Sequence, residues 1–346
     1  MSYTVKSSEK LKKPCADAET KALLYLMNFQ TYSEEIHFFV VDFFNDLTGM
    51  DRMAQKLWDV QSKGEHNVSP KAIGKELVTL FKNYVSDFSF EEYILFIGSV
   101  SKSICVKQNL TSFHIKDLDE NTIEKIRLGL REECIEKSYI NNVDVVDEKI
   151  NNFLSHVLFV VDNDTNPSEY IKEIIKKHPK IIPEERILRA IFNEIRDKQS
   201  DKKNVSNVEN IIINTTDEAL NYCRHLTSSE IRLMTLSRII NRNPMEKGVP
   251  ISFIQIYSNW PPERQKEMLE DCQAALCRAL FNKNMADGFW YIFEKIYHFI
   301  IDSPDSSIQE LFEKVQKIPE VMCKCPDFDA VSLKYFISIV KDGMQP

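Results

Sequence analysis

The chain reads as α+β: an N-terminal α/β layer followed by a predominantly helical region. Three observations predict this. A stretch near residues 40–48, "KLWDVQSK" and "EYILFIGSV" all fall before residue 101 and read as strands. Stretches of helical spacing lie between them, and a helix, strand, strand, helix, strand order is layered. From about residue 118 the apolar residues recur at three- and four-residue intervals, the mark of amphipathic helices.

Residues 1–14 form a polar leader. "AETKALLYLMNFQTYSEE" (18–35) has helical spacing, with Leu23, Leu24, Met27 and Tyr32 on the stripe. "IHFFVVDFFNDLTG" (36–49) reads as a helix running into a strand near 40–48. A polar turn, "MDRMAQ", leads to the strand 56–63. Residues 68–88 form a helix capped by Ser69, with Pro70 at its first position and an apolar stripe of Ile73, Leu77, Leu80, Phe81 and Tyr84. A buried strand is expected over 92–100.

Helices follow at 120–138, 146–158, 167–178, 183–199, 215–224, 227–241, 261–282, 286–302, 305–317 and 329–342. A polar loop covers 197–207. "NRNPMEKGVP" (241–250), with two prolines and a glycine, reads as the linker. The organisation is therefore a leader, a body over 15–240 with its α/β core at about 18–115 and a helical remainder at 116–240, and a helical region over 251–346.

Composition narrows the function. With 8 glycines in 346 residues, the chain has no GxGxxG and no GxxxxGK[ST]. No apolar run reaches the length that crosses a bilayer, and the lysine-bearing start lacks a signal-peptide core, so the cytoplasm is expected. The 8 cysteines show no CxxC pair, and zinc is not expected. The net charge is −8, which disfavours broad nonspecific DNA binding. Residues 1–115 are nearly balanced, with 13 Lys and Arg against 14 Asp and Glu, so a nucleic-acid site belongs there.

Two segments imitate sites. In 162–173, Asp162, Asp164, Asn166 and Glu173 match calcium-loop positions, but Pro167 stands where the loop needs Gly. In 288–300, Phe289, Phe293, Ile296, Tyr297 and Ile300 share one helical face, which reads as core.

The candidate active site starts from "KLWDVQSKG". On a strand, Leu57, Asp59, Gln61 and Lys63 point one way and Trp58, Val60 and Ser62 the other. Asp46 precedes Gln61 by 15 residues, with the polar turn between them, so Asp46, Gln61 and Lys63 can converge. Metal-dependent phosphodiester cleavage needs carboxylates for Mg²⁺, a further oxygen ligand, and a cation beside the developing charge. Asp42 is an alternative first ligand, Asp59 a supplementary one, and Glu34 or Glu35 an outer carboxylate. Lys71, Lys75 and Lys82, spaced four and seven apart, can offer one helical face to phosphates. The bland alternative is a solvated strand edge beside an ordinary charged helix.

Taken together, "FFNDLTG…LWDVQSKG…SPKAIGKELVTLF…YILFIGSV", preceded by Phe29-Gln30, resembles the PD-(D/E)XK nuclease fold. More narrowly it resembles the double-stranded-DNA nuclease effector domains of bacterial anti-phage systems of the CBASS and Lamassu types, over roughly residues 15–240. Gln61 stands where that family more often has Glu, leaving one negative charge fewer. The resemblance implies a Mg²⁺-dependent DNA endonuclease, with Mn²⁺ able to substitute, in which Asp46 and Gln61 hold the metal and Lys63 is catalytic. It also implies activation by oligomerisation or by a partner such as an SMC-like ATPase. The competing expectation is an inactive nuclease-fold protein that binds DNA or scaffolds an assembly.

Overall fold

A computed structural model describes residues 2–5, 13–102, 104, 112–163, 165–176, 183–246 and 248–344, the side chains of 13–15 and 321–322 excepted. Asp164, Cys105, the Cys15 side chain and the expected helix end at 177–178 lie outside what is described. The chain is mixed α/β and divides into two compact units. One is Met1–Asn166 with Ile195–Ser228, and the other is Pro167–Glu194 with Ser229–Pro346. The segment 241–250, expected as the linker, falls inside the second unit.

In chain order the elements are β1 (Tyr3–Thr4), α1 (Lys13–Asn28), β2 (Ile36–Val41), β3 (Leu47–Asp51), β4 (Leu57–Lys63), α2 (Pro70–Glu76), α3 (Val78–Tyr84), β5 (Glu92–Ile97), β6 (Ser112–His114), α4 (Glu120–Glu136), α5 (Asp147–Ser155), β7 (Val157–Val161), α6 (Pro167–Ile174), α7 (Glu185–Lys203), β8 (Ile212–Ile213), β9 (His225–Thr227) and α8 (Ser228–Ile239). Then come α9 (Ile254–Ser258), α10 (Pro262–Phe281), α11 (Ala286–Asp302), α12 (Ile308–Gln316), α13 (Val321–Lys324) and α14 (Ala330–Met344).

In the first unit, seven strands form one sheet in the order β6-β7-β5-β4-β3-β2-β9. β4, β5 and β7 run parallel, and the remaining pairs are antiparallel. β7 and, beyond Glu92 at its start, β5 are buried on both faces and rich in Val, Ile, Leu and Phe, as parallel central strands commonly are. On one face Tyr93, Leu95, Ile97, Val157, Phe159 and Val161 pack with Ile73, Leu80, Phe81, Ile126 and Phe153 from α2–α5. α1 packs against β2–β5, where Tyr25 meets Phe96 with ring centroids 6.1 Å apart.

Several expectations change. Ile36–Val41 is a strand throughout, without a preceding helix, and the turn to β3 is the bend at 42–46. The helix expected at 146–158 ends at Ser155, and the β-branched run that follows is β7. The single helix over 68–88 breaks at Leu77 into α2 and α3, although Ser69 does cap it, accepting from the Ala72 amide at 3.3 Å. The expected strand 92–100 stops at Ile97. Residues 197–203, expected as loop, continue α7. The leader contains β1, which pairs with β8, and Tyr3 and Val5 are buried.

The second unit is helical. Its core gathers Phe289, Phe293, Ile296 and Ile300 of the expected stripe with Leu333, Phe336 and Val340 of α14. The Phe289 and Phe336 rings lie 5.3 Å apart.

Candidate active site

The site begins with a tight hairpin. β2 and β3 pair from Phe39↔Gly49 to Val41↔Leu47, and the Asp42 amide donates to the Asp46 carbonyl at 3.1 Å. The intervening "DFFND" turns the chain, with Asp42 at φ 49, a left-handed conformation that Asp tolerates better than most residues. Phe43 and Phe44 are buried and anchor the bend from beneath. Asp46 therefore lies in the bend, one residue before β3, rather than on a strand.

β4 is an interior strand with β3 and β5 on either side, so its polar residues are not a solvated edge. Asp59 is 0% and Gln61 4% exposed. Buried polar groups at such positions need partners, and Asp46 supplies Gln61's. Asp46 Oδ2 accepts from Gln61 Nε2 at 2.7 Å, from the Ser62 amide at 2.9 Å and from Ser62 Oγ at 3.3 Å. Two positions on, the Lys63 ammonium lies 3.1 Å from Glu76 at the end of α2.

A cavity of about 330 Å³ opens over these groups. Asp42, Asp46, Gln61, Lys63, Glu76, Lys75, Lys82 and Lys137 line it. The structure thus brings Asp46, Gln61 and Lys63 together, with Asp42 beside them. Asp42 pairs with the buried Arg224 guanidinium at 3.4 Å.

The other expected residues are held by partners of their own, although Lys75 and Lys82 also line the cavity. Asp59 lies deeper, with Oδ2 accepting from Asn83 Nδ2 at 2.6 Å. Glu35 is an exposed partner of Lys56. Lys71 pairs with Glu132 at 2.8 Å and Lys75 with Glu133 at 3.7 Å, which ties α2 to α4. Lys82 does not share their exposed face. The break at Leu77 turns it inward, where it is 9% exposed and its Nζ stands 5.2 Å from the Tyr3 ring centroid.

Reasoning from sequence missed Glu19. It is 6% exposed on α1 and pairs with Lys203 at 2.8 Å. Its position three and four residues before Ala22 and Leu23, both fully buried, was the available signal, because that spacing puts it on the buried face.

Burial dominates the electrostatics. It raises the Asp46 carboxyl above its ordinary value, opposed by the Ser62 amide and by the Lys63 and Lys203 charges. It lifts Asp42 to about 6, against the pull of Lys203 and Arg224. Glu19 is pushed up to about 7, again by burial and against Lys203. Asp59 is raised and Lys82 lowered by burial, each charge countering the other's shift.

Among the described residues, no three His, Cys, Asp or Glu side chains gather closely enough to hold a metal by themselves. The cavity's donors are oxygens: the Asp46 and Asp42 carboxylates and the Gln61 amide. Such a set suits Mg²⁺ or Mn²⁺, and Mg²⁺ is commonly held by one or two carboxylates completed by water and substrate phosphate. No helix among the described residues is long and apolar enough to cross a membrane. The chain was compared with protein-family models, with curated proteins and with solved structures, and none of the three gave a match.

Proposed function

We propose that the first unit is a metal-dependent DNA endonuclease of the PD-(D/E)XK type. The observation that carries the reading is the meeting of Asp46, Gln61 and Lys63 in one cavity, on a bend and an interior strand, with a carboxylate, an amide and an ammonium facing the same space. Asp46 and the Gln61 amide oxygen would hold Mg²⁺ or Mn²⁺. The ion would activate a water for attack on a phosphodiester and share the charge that develops.

The chain's own groups do the remainder. Lys63 orients the water or steadies the negative charge of the pentavalent phosphorus. Lys75, Lys82 and Lys137, all lining the cavity, attract the phosphate. Lys63 lies against Glu76, so an incoming phosphate competes with that carboxylate for the ammonium. By its resemblance, the protein acts on double-stranded DNA as the effector of a bacterial anti-phage assembly, gated by oligomerisation or by a partner such as an SMC-like ATPase.

The test is plasmid cleavage over a protein concentration series with Mg²⁺, Mn²⁺ or EDTA. Wild type should cut only with metal, and Lys63→Ala and Asp46→Ala should each lose about 100-fold or more. Cutting that survives both substitutions sinks the assignment. Mn²⁺ binding without cutting at any protein concentration favours the gated enzyme, and the absence of both favours the inactive scaffold.

A further inference from the structure

The bend that carries Asp46 is held by side chains outside its own hairpin. The Phe44 carbonyl, two residues before Asp46, faces three donors: Tyr3 Oη at 3.1 Å, Asn83 Nδ2 at 3.2 Å and Lys82 Nζ at 3.3 Å. Asn83, fully buried, is the hub. Its Oδ1 accepts from the Tyr3 hydroxyl at 2.8 Å, so the single hydroxyl proton is shared between Asn83 and Phe44. Its two amide protons go to Phe44 O and to Asp59 Oδ2, the latter at 2.6 Å. The Phe44 carbonyl accepts only, which fixes the amide's orientation.

The geometry links two parts of the site that the backbone leaves far apart in sequence. Phe44 belongs to the bend of Asp46. Asp59 belongs to β4, two residues before Gln61 and on the same face. Asn83 bonds both. Tyr3 completes the hub from β1, where its ring lies 5.1 Å from Phe44 and stacks on Phe88 at 5.6 Å.

We infer that Asn83 and Tyr3 are positioning residues for the metal centre, setting the Asp46 ligand against the Gln61 strand. Strand β1 is then part of the catalytic unit. This rests on the nuclease reading. Groups that orient ligands from behind tune metal affinity; where that is their role, saturating metal masks their loss.

The experiment measures Mn²⁺ binding by electron paramagnetic resonance and DNA cleavage against Mn²⁺ concentration, on the full chain. Wild type is compared with Tyr3→Phe, which removes one hydroxyl, with Asn83→Ala, and with Asp46→Asn, while circular dichroism verifies folding. Tyr3→Phe should weaken Mn²⁺ binding about 10-fold, and its rate at saturating Mn²⁺ should return to within about twofold of wild type. Asn83→Ala should shift further in the same direction.

Unchanged Mn²⁺ affinity in folded Tyr3→Phe, with binding lost in Asp46→Asn, overturns the positioning role and leaves the nuclease reading intact. A rate loss that saturating Mn²⁺ does not restore overturns it as well. A wild type that neither binds Mn²⁺ nor cuts ends the nuclease reading, and this inference with it, before any variant is compared.

Discussion

Asp42 shows how a single side chain couples the site to stability. Its carboxyl titrates at about 6 in the folded chain against an ordinary 3.8, so the folded state holds that proton more tightly than the unfolded state does. The contribution to stability is complete below pH 3.8 and is lost as the pH rises through 6. Two units correspond to about 3 kcal/mol as an upper figure. Urea unfolding from pH 4 to pH 7.5 should show wild type losing stability over that window and Asp42→Asn losing less. Glu19 adds a decline of the same sign up to about pH 7, so the variant keeps part of the slope. Parallel curves would mean that Asp42 titrates at its ordinary value.

The residues of the site differ in how far the sequence reveals them. Asp46, Gln61 and Lys63 were legible because a strand's alternation fixes the last two on one face and a short hairpin limits where the first can lie. Tyr3 and Asn83 meet the site only through tertiary packing, and no local period marks them, whereas helical spacing marks Glu19 as buried without revealing its partner. Lys82 misled for the opposite reason. A continuous helix would have kept it beside Lys71 and Lys75, but the chain breaks at Leu77.

At the scale of elements, the close crossing of α2 and α4 sets where Glu76 and Lys75 stand. A Cβ on Gly74 would lie 2.0 Å from the Ile126 carbonyl oxygen, and one on Gly129 would lie 2.1 Å from the Lys71 carbonyl oxygen. Backbone cannot yield to that overlap without separating the helices. Gly74→Ala should therefore cost about 3 kcal/mol, a fall in melting temperature of about 10 °C by calorimetry for a unit of this size. Gly49→Ala, whose added methyl meets only the Ile36 and Leu26 side chains at 3.1–3.3 Å, should cost less. Equal losses would remove the special role of the crossing. Long amphipathic helices such as α4 and α11 were legible from spacing alone. β2 and β7 were not, since a five- or six-residue apolar run satisfies a buried helix turn and a buried strand equally well.

Across the whole molecule, the division into units does not follow chain order. Residues 167–194 interrupt the first unit and belong with 229–346. Tyr170, Ile171, Ile174, Leu188 and Ile191 of that segment are buried. A fragment ending at residue 240 strips them of most of their unit, and it should bind a hydrophobic dye strongly and unfold without cooperativity. A fragment with full-length cooperativity would instead place the division at 241–250. Sequence composition could not reveal the interruption, because the return at residue 195 falls inside the continuous helix α7, although the turn-rich "DNDTNPS" marks the departure at 166.

The pairing of β1 with β8 joins Tyr3 to Ile213 across 210 residues. On the ribosome, Ile213 is made 210 residues after Tyr3, once most of the first unit has been synthesised. Lys203 and Arg224, which neutralise Glu19 and Asp42, are likewise translated late. A nascent chain carrying Asp46, Gln61 and Lys63 therefore still lacks the strand partner of β1 and the cations beside Glu19 and Asp42. For the proposed nuclease, the order of synthesis would hold back competence until residues 203–224 have been made.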